Sequence, residues 1–210
     1  MKLFQFWDKT NPPQEVADLL QTWASDTNFK YRRFTDNTAR AYIQRKLGRR
    51  VLAAYESCAV PAMKADLFRY CVLYNEGGIY VDADTANSGM LPEFINADLR
   101  GTLMCRQTRI ANDFLFIRNP KDRLLERTLL VALQNIEARI SNNVWVVTGP
   151  GIMTELYQNK TSQHLFEGFR IEPATIVREI VLFRQEMDYK NTGEDWRSNL
   201  DDPANSIFIG

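Results

Sequence analysis

Apolar residues along this chain recur at strand spacing, then at helix spacing, and the two patterns keep alternating, which leaves few architectures open. Leu3 to Phe6 reads as a short strand that runs into a loop punctuated by Pro12 and Pro13, and Val16, Leu19, Leu20 and Trp23 then repeat at helical spacing. Phe29 to Phe34 is a second strand candidate. Thr35, Asp36, Asn37 and Thr38 follow, any of which can cap a helix running toward Gly48. Pro61 suits the first position of a further helix, whose stripe of Leu67, Tyr70, Cys71 and Tyr74 stops at Gly77 and Gly78. Ile79 to Val81, Thr102 to Cys105 and Phe114 to Ile117 read as strands, and an amphipathic helix covers roughly Lys121 to Arg139. Such alternation predicts an α/β fold, a mostly parallel sheet with helices on both faces. In sheets of that kind a ligand sits at the carboxyl ends of the strands, where the strand order reverses.

The 210 residues, 45% apolar and 25% charged, suffice for one domain that buries about 70% of its unfolded surface. No repeat, low-complexity tract or linker divides them, so a single domain over 1–210 is expected. Twenty-six basic residues balance 26 acidic ones, and no overall charge favours nucleic acid. The opening MKLFQFWDKTNPP does not read as a signal peptide, and no uncharged apolar run approaches the roughly 18 residues of a spanning helix. Three scattered cysteines, Cys58, Cys71 and Cys105, fit a reducing, cytoplasmic setting better than a disulfide framework.

The segment GGIYVDADT places Asp82 and Asp84 directly after an apolar strand. Two carboxylates so close repel unless something compensates them, and a hard divalent cation does so. Mg²⁺ or Mn²⁺ takes oxygen ligands at about 2.0–2.1 Å and is often held by one or two carboxylates plus substrate phosphates. A D-x-D triplet alone fits a solvated turn or a helix cap equally well.

Its surroundings narrow the choice. The run ADLFRYCVLYNEGGIYVDAD, Ala65 to Asp84, resembles the central motif of DXD-type glycosyltransferases of family 32, which includes yeast initiation mannosyltransferases and bacterial polysaccharide and lipooligosaccharide enzymes. FQFWDK near Phe4 to Lys9 looks like the first strand and loop of that family, and TGPG at Thr148 to Gly151 like a later turn, so the likeness spans roughly 1–155. It implies a GT-A-type, Rossmann-like fold, a nucleotide-sugar donor (a UDP-sugar, or GDP-mannose), Mn²⁺ or Mg²⁺, a glycan or lipid-linked acceptor, and transfer with retention.

Asp66 and Arg69, three apart on a helix, share one face. The resemblance implies that they meet the donor near Tyr80; the plain alternative is an intrahelical ion pair worth a few tenths of a kcal/mol. By the same likeness Phe6, Trp7 and Asp8 lie where the base and ribose bind, although Trp7 equally suits the core. Asn112 and Asp113 resemble a segment that reaches donor or acceptor sugar, and Asp113 is a candidate nucleophile should transfer proceed by double displacement. Gly149 and Gly151 let backbone approach an acceptor or simply open a helix. Many relatives place a His and a Trp near the end; here only Trp196 stands there. In EDWRSN, Glu194, Asp195, Ser198 and Asn199 offer replacement oxygens, Asp195 and Ser198 as metal ligands, within a segment of about 185–210 that could close as a lid. His164 is out of place for the absent ligand and suits the surface or packing.

Eight basic residues stand between Lys30 and Arg50 against the single acid Asp36. They form either a solvated helix face or a peripheral contact with an anionic inner-membrane surface. Two rival functions remain. VDADT also fits the D-x-D-x-T motif of haloacid-dehalogenase-type phosphatases, with Asp82 as nucleophile, although about 80 residues precede it where that motif usually opens its domain. A non-catalytic nucleotide- or glycan-binding module is the other.

Overall fold

The structure, a computed structural model, describes residues 1–95, 100–184, 186–191 and 206–209. The chain begins with β1 (Lys2–Phe6), α1 (Gln14–Ala24), β2 (Lys30–Phe34), α2 (Asp36–Lys46), α3 (Arg49–Ser57) and α4 (Pro61–Glu76). It continues through β3 (Gly78–Val81), β4 (Thr85–Asn87), α5 (Leu91–Phe94), β5 (Gly101–Arg106), β6 (Arg109–Ile117) and α6 (Arg123–Glu137). After these come α7 (Val144–Val147), α8 (Gly151–Gln158), β7 (Phe169–Pro173), α9 (Ala174–Ile180) and β8 (Val181–Phe183). Of the four capping candidates, Thr35 caps α2: its hydroxyl accepts the Thr38 amide while the Thr38 hydroxyl takes the Thr35 amide.

Six strands form the main sheet in the order β2-β1-β3-β6-β5-β7. β1 runs parallel to β2 and β3, and β5 parallel to β7, whereas β6 is antiparallel to both neighbours. The expected, mostly parallel α/β sheet is present, with one reversed strand. The reversal is local in origin, because only Gln107 and Thr108 join β5 to β6 and so short a link makes a hairpin, never a parallel crossover. Gln107 takes the positive φ of 56° that the turn demands. β4 and β8 form a separate antiparallel pair.

Helices cover both faces. On one, α2, α3, α4, α6 and α8 pack around Phe34, Phe68 and Tyr42, the Phe34 and Phe68 ring centroids being 4.6 Å apart. On the other, Trp23 of α1 and Val177 and Ile180 of α9 cover Ile79, Val81 and Phe114. The three cysteines are free, Cys58 and Cys71 buried. Among the described residues no helix is long and apolar enough to cross a membrane.

The turn from α4 into β3 sets where the acidic pair emerges. Gly77 and Gly78 take φ of +61° and +103°, and a Cβ on Gly78 would lie 2.8 Å from the Lys2 carbonyl of β1. Gly78→Ala is therefore expected to cost about 2 kcal/mol or more through strained backbone and lost β1–β3 contact. Urea unfolding followed by circular dichroism checks this; a wild-type midpoint would contradict it.

Candidate active site

Because β6 runs against β3, its upstream residues reach the sheet edge at which β3 ends. Val81 pairs with Phe114, and the Asp82 amide donates to the Asp113 carbonyl at 3.0 Å. Across β5 the register jumps from Leu103↔Leu115 to Met104↔Ala111. Residues 112–114 therefore have no partner on β5, and this bulge turns side chains away from the regular pleat. Asn112 then points to α4, and Asp113 pairs with Arg106.

Asp66 and Arg69 of α4 meet this edge. They form the intrahelical ion pair, Arg69 Nη2 to Asp66 Oδ1 at 3.0 Å, and both line one cavity. Arg69 Nη2 is also 3.0 Å from Asp82 Oδ1, Nη1 donates to the Asn112 carbonyl at 2.5 Å, and the guanidinium lies 4.6 Å from the Tyr80 ring centroid. Asp66 accepts further bonds from Asn112 Nδ2 at 2.9 Å and Thr148 Oγ1 at 3.3 Å. The Asp82 carbonyl accepts from Gln5 Nε2 at 3.1 Å and Thr85 Oγ1 at 2.7 Å, so three elements fix its backbone.

The charges are dense for so dry a place. Burial, then the nearby carboxylates Asp84, Asp113 and Asp66, push the Asp82 carboxyl well above the usual range against the pull of Arg69. Burial likewise raises Asp66 and Asp113. Burial also disfavours the Arg69 charge, but Asp82, Tyr80 and Asp66 outweigh it and hold the guanidinium protonated.

A cavity of ≈ 690 Å³ opens over these groups. Of the residues expected at the site, Phe6, Trp7, Asp8, Asp66, Arg69, Asp82, Asp84 and Asn112 line it. Tyr80 does not; it is fully buried beneath Arg69 and supports the site from below. Asp113 also stands off the wall, tied to Arg106. Trp196, Asp195 and Ser198, with Glu194 and Asn199, lie outside the described residues. Gly149 and Gly151 serve packing, since a Cβ at either would strike Trp145 within 2.7 Å.

Several neighbours were invisible to spacing. Lys190 Nζ reaches Asp84 Oδ2 at 2.7 Å from 106 residues away, and the Arg184 amide donates to the Asp84 carbonyl at 2.8 Å. Glu15 holds that strand of chain by accepting the Asp188 and Tyr189 amides at 3.0 and 2.8 Å, and Tyr189 meets Trp7 edge-on at 5.3 Å. Asn142, Asn143 and Trp145 form another wall. Among the described residues no group of three or more His, Cys, Asp or Glu is placed to hold a metal. The donor set suits a cation completed by water and phosphate oxygens, not a closed protein cage.

Arg69→Leu would leave the buried Asp66 and the half-buried Asp82 without their cation, a loss of about 3 kcal/mol or more at pH 8. Protonation relieves those carboxyls in the folded state, so the folded protein binds more protons than the unfolded one and the deficit shrinks as pH falls toward 5. Chemical denaturation at both pH values checks it; an equal deficit at each would contradict it.

The comparisons with known proteins agree with this geometry. Residues 1–99 match the family described as "Glycosyltransferase sugar-binding region containing DXD motif", a stretch that holds β1, α4, β3 and both Asp82 and Asp84. The chain is 26% identical over 100 residues to the glycosyltransferase HOC1 of Saccharomyces cerevisiae, covering 46% of this chain and 25% of that protein. It is 31% identical over 87 residues to the initiation-specific alpha-1,6-mannosyltransferase of Schizosaccharomyces pombe, covering 38% and 22%. The chain thus spans a quarter or less of the length of these relatives. A solved structure titled "PaToxG Glycosyltransferase" shares the fold, with a TM-score of 0.57 at 16% identity over 94% of this chain and 84% of that one. Through its residues 1–99, a little under half its length, the chain is similar to the glycosyltransferase family defined by the DXD-containing sugar-binding region.

Proposed function

We propose that this protein, acting as a single domain, is a divalent-metal-dependent glycosyltransferase that moves a sugar from a nucleotide-sugar to a glycan or lipid-linked acceptor. The observation that carries the reading is the position of Asp82 and Asp84. Both stand at the carboxyl end of β3 on the wall of one cavity, inside the family-matching region. Asp82 and Asp84 would hold Mn²⁺ or Mg²⁺, which supplies charge to stabilise a departing nucleoside diphosphate.

The side chains take separable parts. Arg69 keeps Asp66 and Asp82 in place, as its paired contacts at 3.0 Å indicate. Phe6 and Trp7 wall the end of the cavity beyond β1 and suit a nucleoside base and ribose. Lys190 is a cation from the later part of the chain; its ammonium, now on Asp84, is in reach to neutralise diphosphate oxygens. Asp113 is held by Arg106 away from the cavity wall, so retention is read as front-face attack without a protein nucleophile. Against the phosphatase reading of VDADT stand the pairing of Asp82 with Arg69 and the place of β3, third in the chain and inside the stretch that matches the glycosyltransferase region.

The donor is a UDP-sugar or GDP-mannose, the latter in keeping with the name of the Schizosaccharomyces relative. The role extends to surface-polysaccharide assembly on the cytoplasmic side. Of the basic residues between 30 and 50, Arg40 and Arg50 pair with Glu56 and Glu137, Arg33 donates to the Thr10 carbonyl, and Arg32 stacks on Phe34. Lys30, Arg45, Lys46 and Arg49 are exposed and suit an anionic membrane surface. Flotation with anionic liposomes at low salt is expected to carry the protein upward; protein left at the bottom would remove the membrane contact.

Donor hydrolysis across UDP- and GDP-sugars tests the activity. Chelation should abolish it and Mn²⁺ restore it, and Asp82→Asn or Asp84→Asn should lower it about 10²-fold or more. Near-wild-type turnover in either variant would sink the metal assignment.

A further inference from the structure

Among the described residues Trp145 is the one aromatic side chain that is exposed, at 41%. It stands on the rim of the cavity and also on the wall of a second groove of ≈ 350 Å³ that runs along α8. The ring is seated, not loose. A Cβ on Gly151 would come within 2.7 Å of the ring carbons Cε3 and Cζ3, and one on Gly149 within 2.7 Å of the Trp145 Cα. Of the two glycines of TGPG, Gly151 makes room for the indole and Gly149 for the α7 backbone that carries it. The α7 backbone beneath it is held as well: Asn143 Oδ1 accepts the Trp145 amide at 2.9 Å, and Asn135 Nδ2 donates to the Val146 and Val147 carbonyls, both at 3.2 Å.

Beyond the ring the second groove is lined by the exposed polar side chains of Glu155, Gln158 and Asn159. A fixed, exposed aromatic face followed by carboxylate and amide groups matches the chemistry of a pyranose chain. The C–H face of one sugar covers the ring, and hydroxyls of the next find acceptors and donors. Immobilising the platform in advance removes the ordering cost of binding.

We propose that Trp145 is the stacking platform for the acceptor, and that the acceptor is an oligosaccharide of at least two units running from the cavity across this ring into the α8 groove. This rests on the glycosyltransferase reading above, and the test separates the two. An array of monosaccharides and longer glycans is probed with the protein in the presence of UDP and Mn²⁺, and donor hydrolysis is measured in parallel with water as acceptor.

Wild type is expected to bind oligosaccharides over monosaccharides, and Trp145→Ala to lose that binding about tenfold or more. Trp145→Phe should keep most of it. Because Trp145→Ala removes packing against Gly151, a second variant leaves that contact intact. Gln158→Ala with Asn159→Ala should weaken the longer glycans while sparing hydrolysis. Glycan binding unchanged in Trp145→Ala, or a wild type that binds no glycan beyond a monosaccharide, would overturn the proposal. Trp145-dependent glycan binding without any donor hydrolysis in wild type would uphold the platform and overturn the transferase reading instead.

Discussion

A buried guanidinium organises this molecule. Arg69 ties its own helix α4 to two other elements: it holds the Asp66 carboxylate one turn back, Asp82 at the end of β3, and the Asn112 carbonyl in the bulge of β6. Removing a charge from water costs several kcal/mol unless the protein replaces hydration with well-placed partners. Here it does so with two carboxylates, a carbonyl and the face of Tyr80. The same contacts define the site. A sheet strand, a reversed strand and a helix are brought to one point, and the acidic pair emerges there with its backbone fixed by Gln5, Thr85 and Asp113.

The acidic groups are then held in unequal states. Asp66, at the cavity wall, is tied down by Arg69, Asn112 and Thr148, and Asp113 by Arg106, whereas Asp82 and Asp84 present more of their side chains to the cavity. Burial and mutual repulsion make ionised Asp82 costly, which is the condition that an incoming hard cation relieves. Lys190 already supplies one positive charge at Asp84. With the ammonium, a cation bound there would give the cavity floor the charge that a diphosphate requires, and the aromatic walls at Trp7 and Tyr189 would suit what is attached to it.

Much of this was legible in the chain wherever periodicity or spacing carries the signal. The strand ending at Phe6, the helix opened by Pro61, the Gly77–Gly78 turn and the shared face of Asp66 and Arg69 all follow from local pattern. Where local pattern is weak the reading fell short. β6 begins at Arg109, not Phe114, because Asn112 and Asp113 in its bulge break the apolar run that marks a strand. The short α3 follows α2 after only a Gly48 junction and carries no side-chain cap. Lys190 has no motif about it, and only the pairing of β4 with β8 and the Glu15 clamp bring it to Asp84. Tyr80, two residues before Asp82 and so on the same side of β3, is kept from the cavity because the Arg69 guanidinium covers its ring.

The central claim is that Asp82 and Asp84 form an incomplete cation site that a nucleoside diphosphate completes. Titration calorimetry of UDP in the presence and absence of Mn²⁺ tests it most directly, since such a site couples the two ligands reciprocally. The account predicts weak binding of either alone, mutual tightening of about tenfold or more when both are present, and loss of that coupling in Asp84→Asn. Equal UDP affinity with and without Mn²⁺ in the wild-type protein would contradict it.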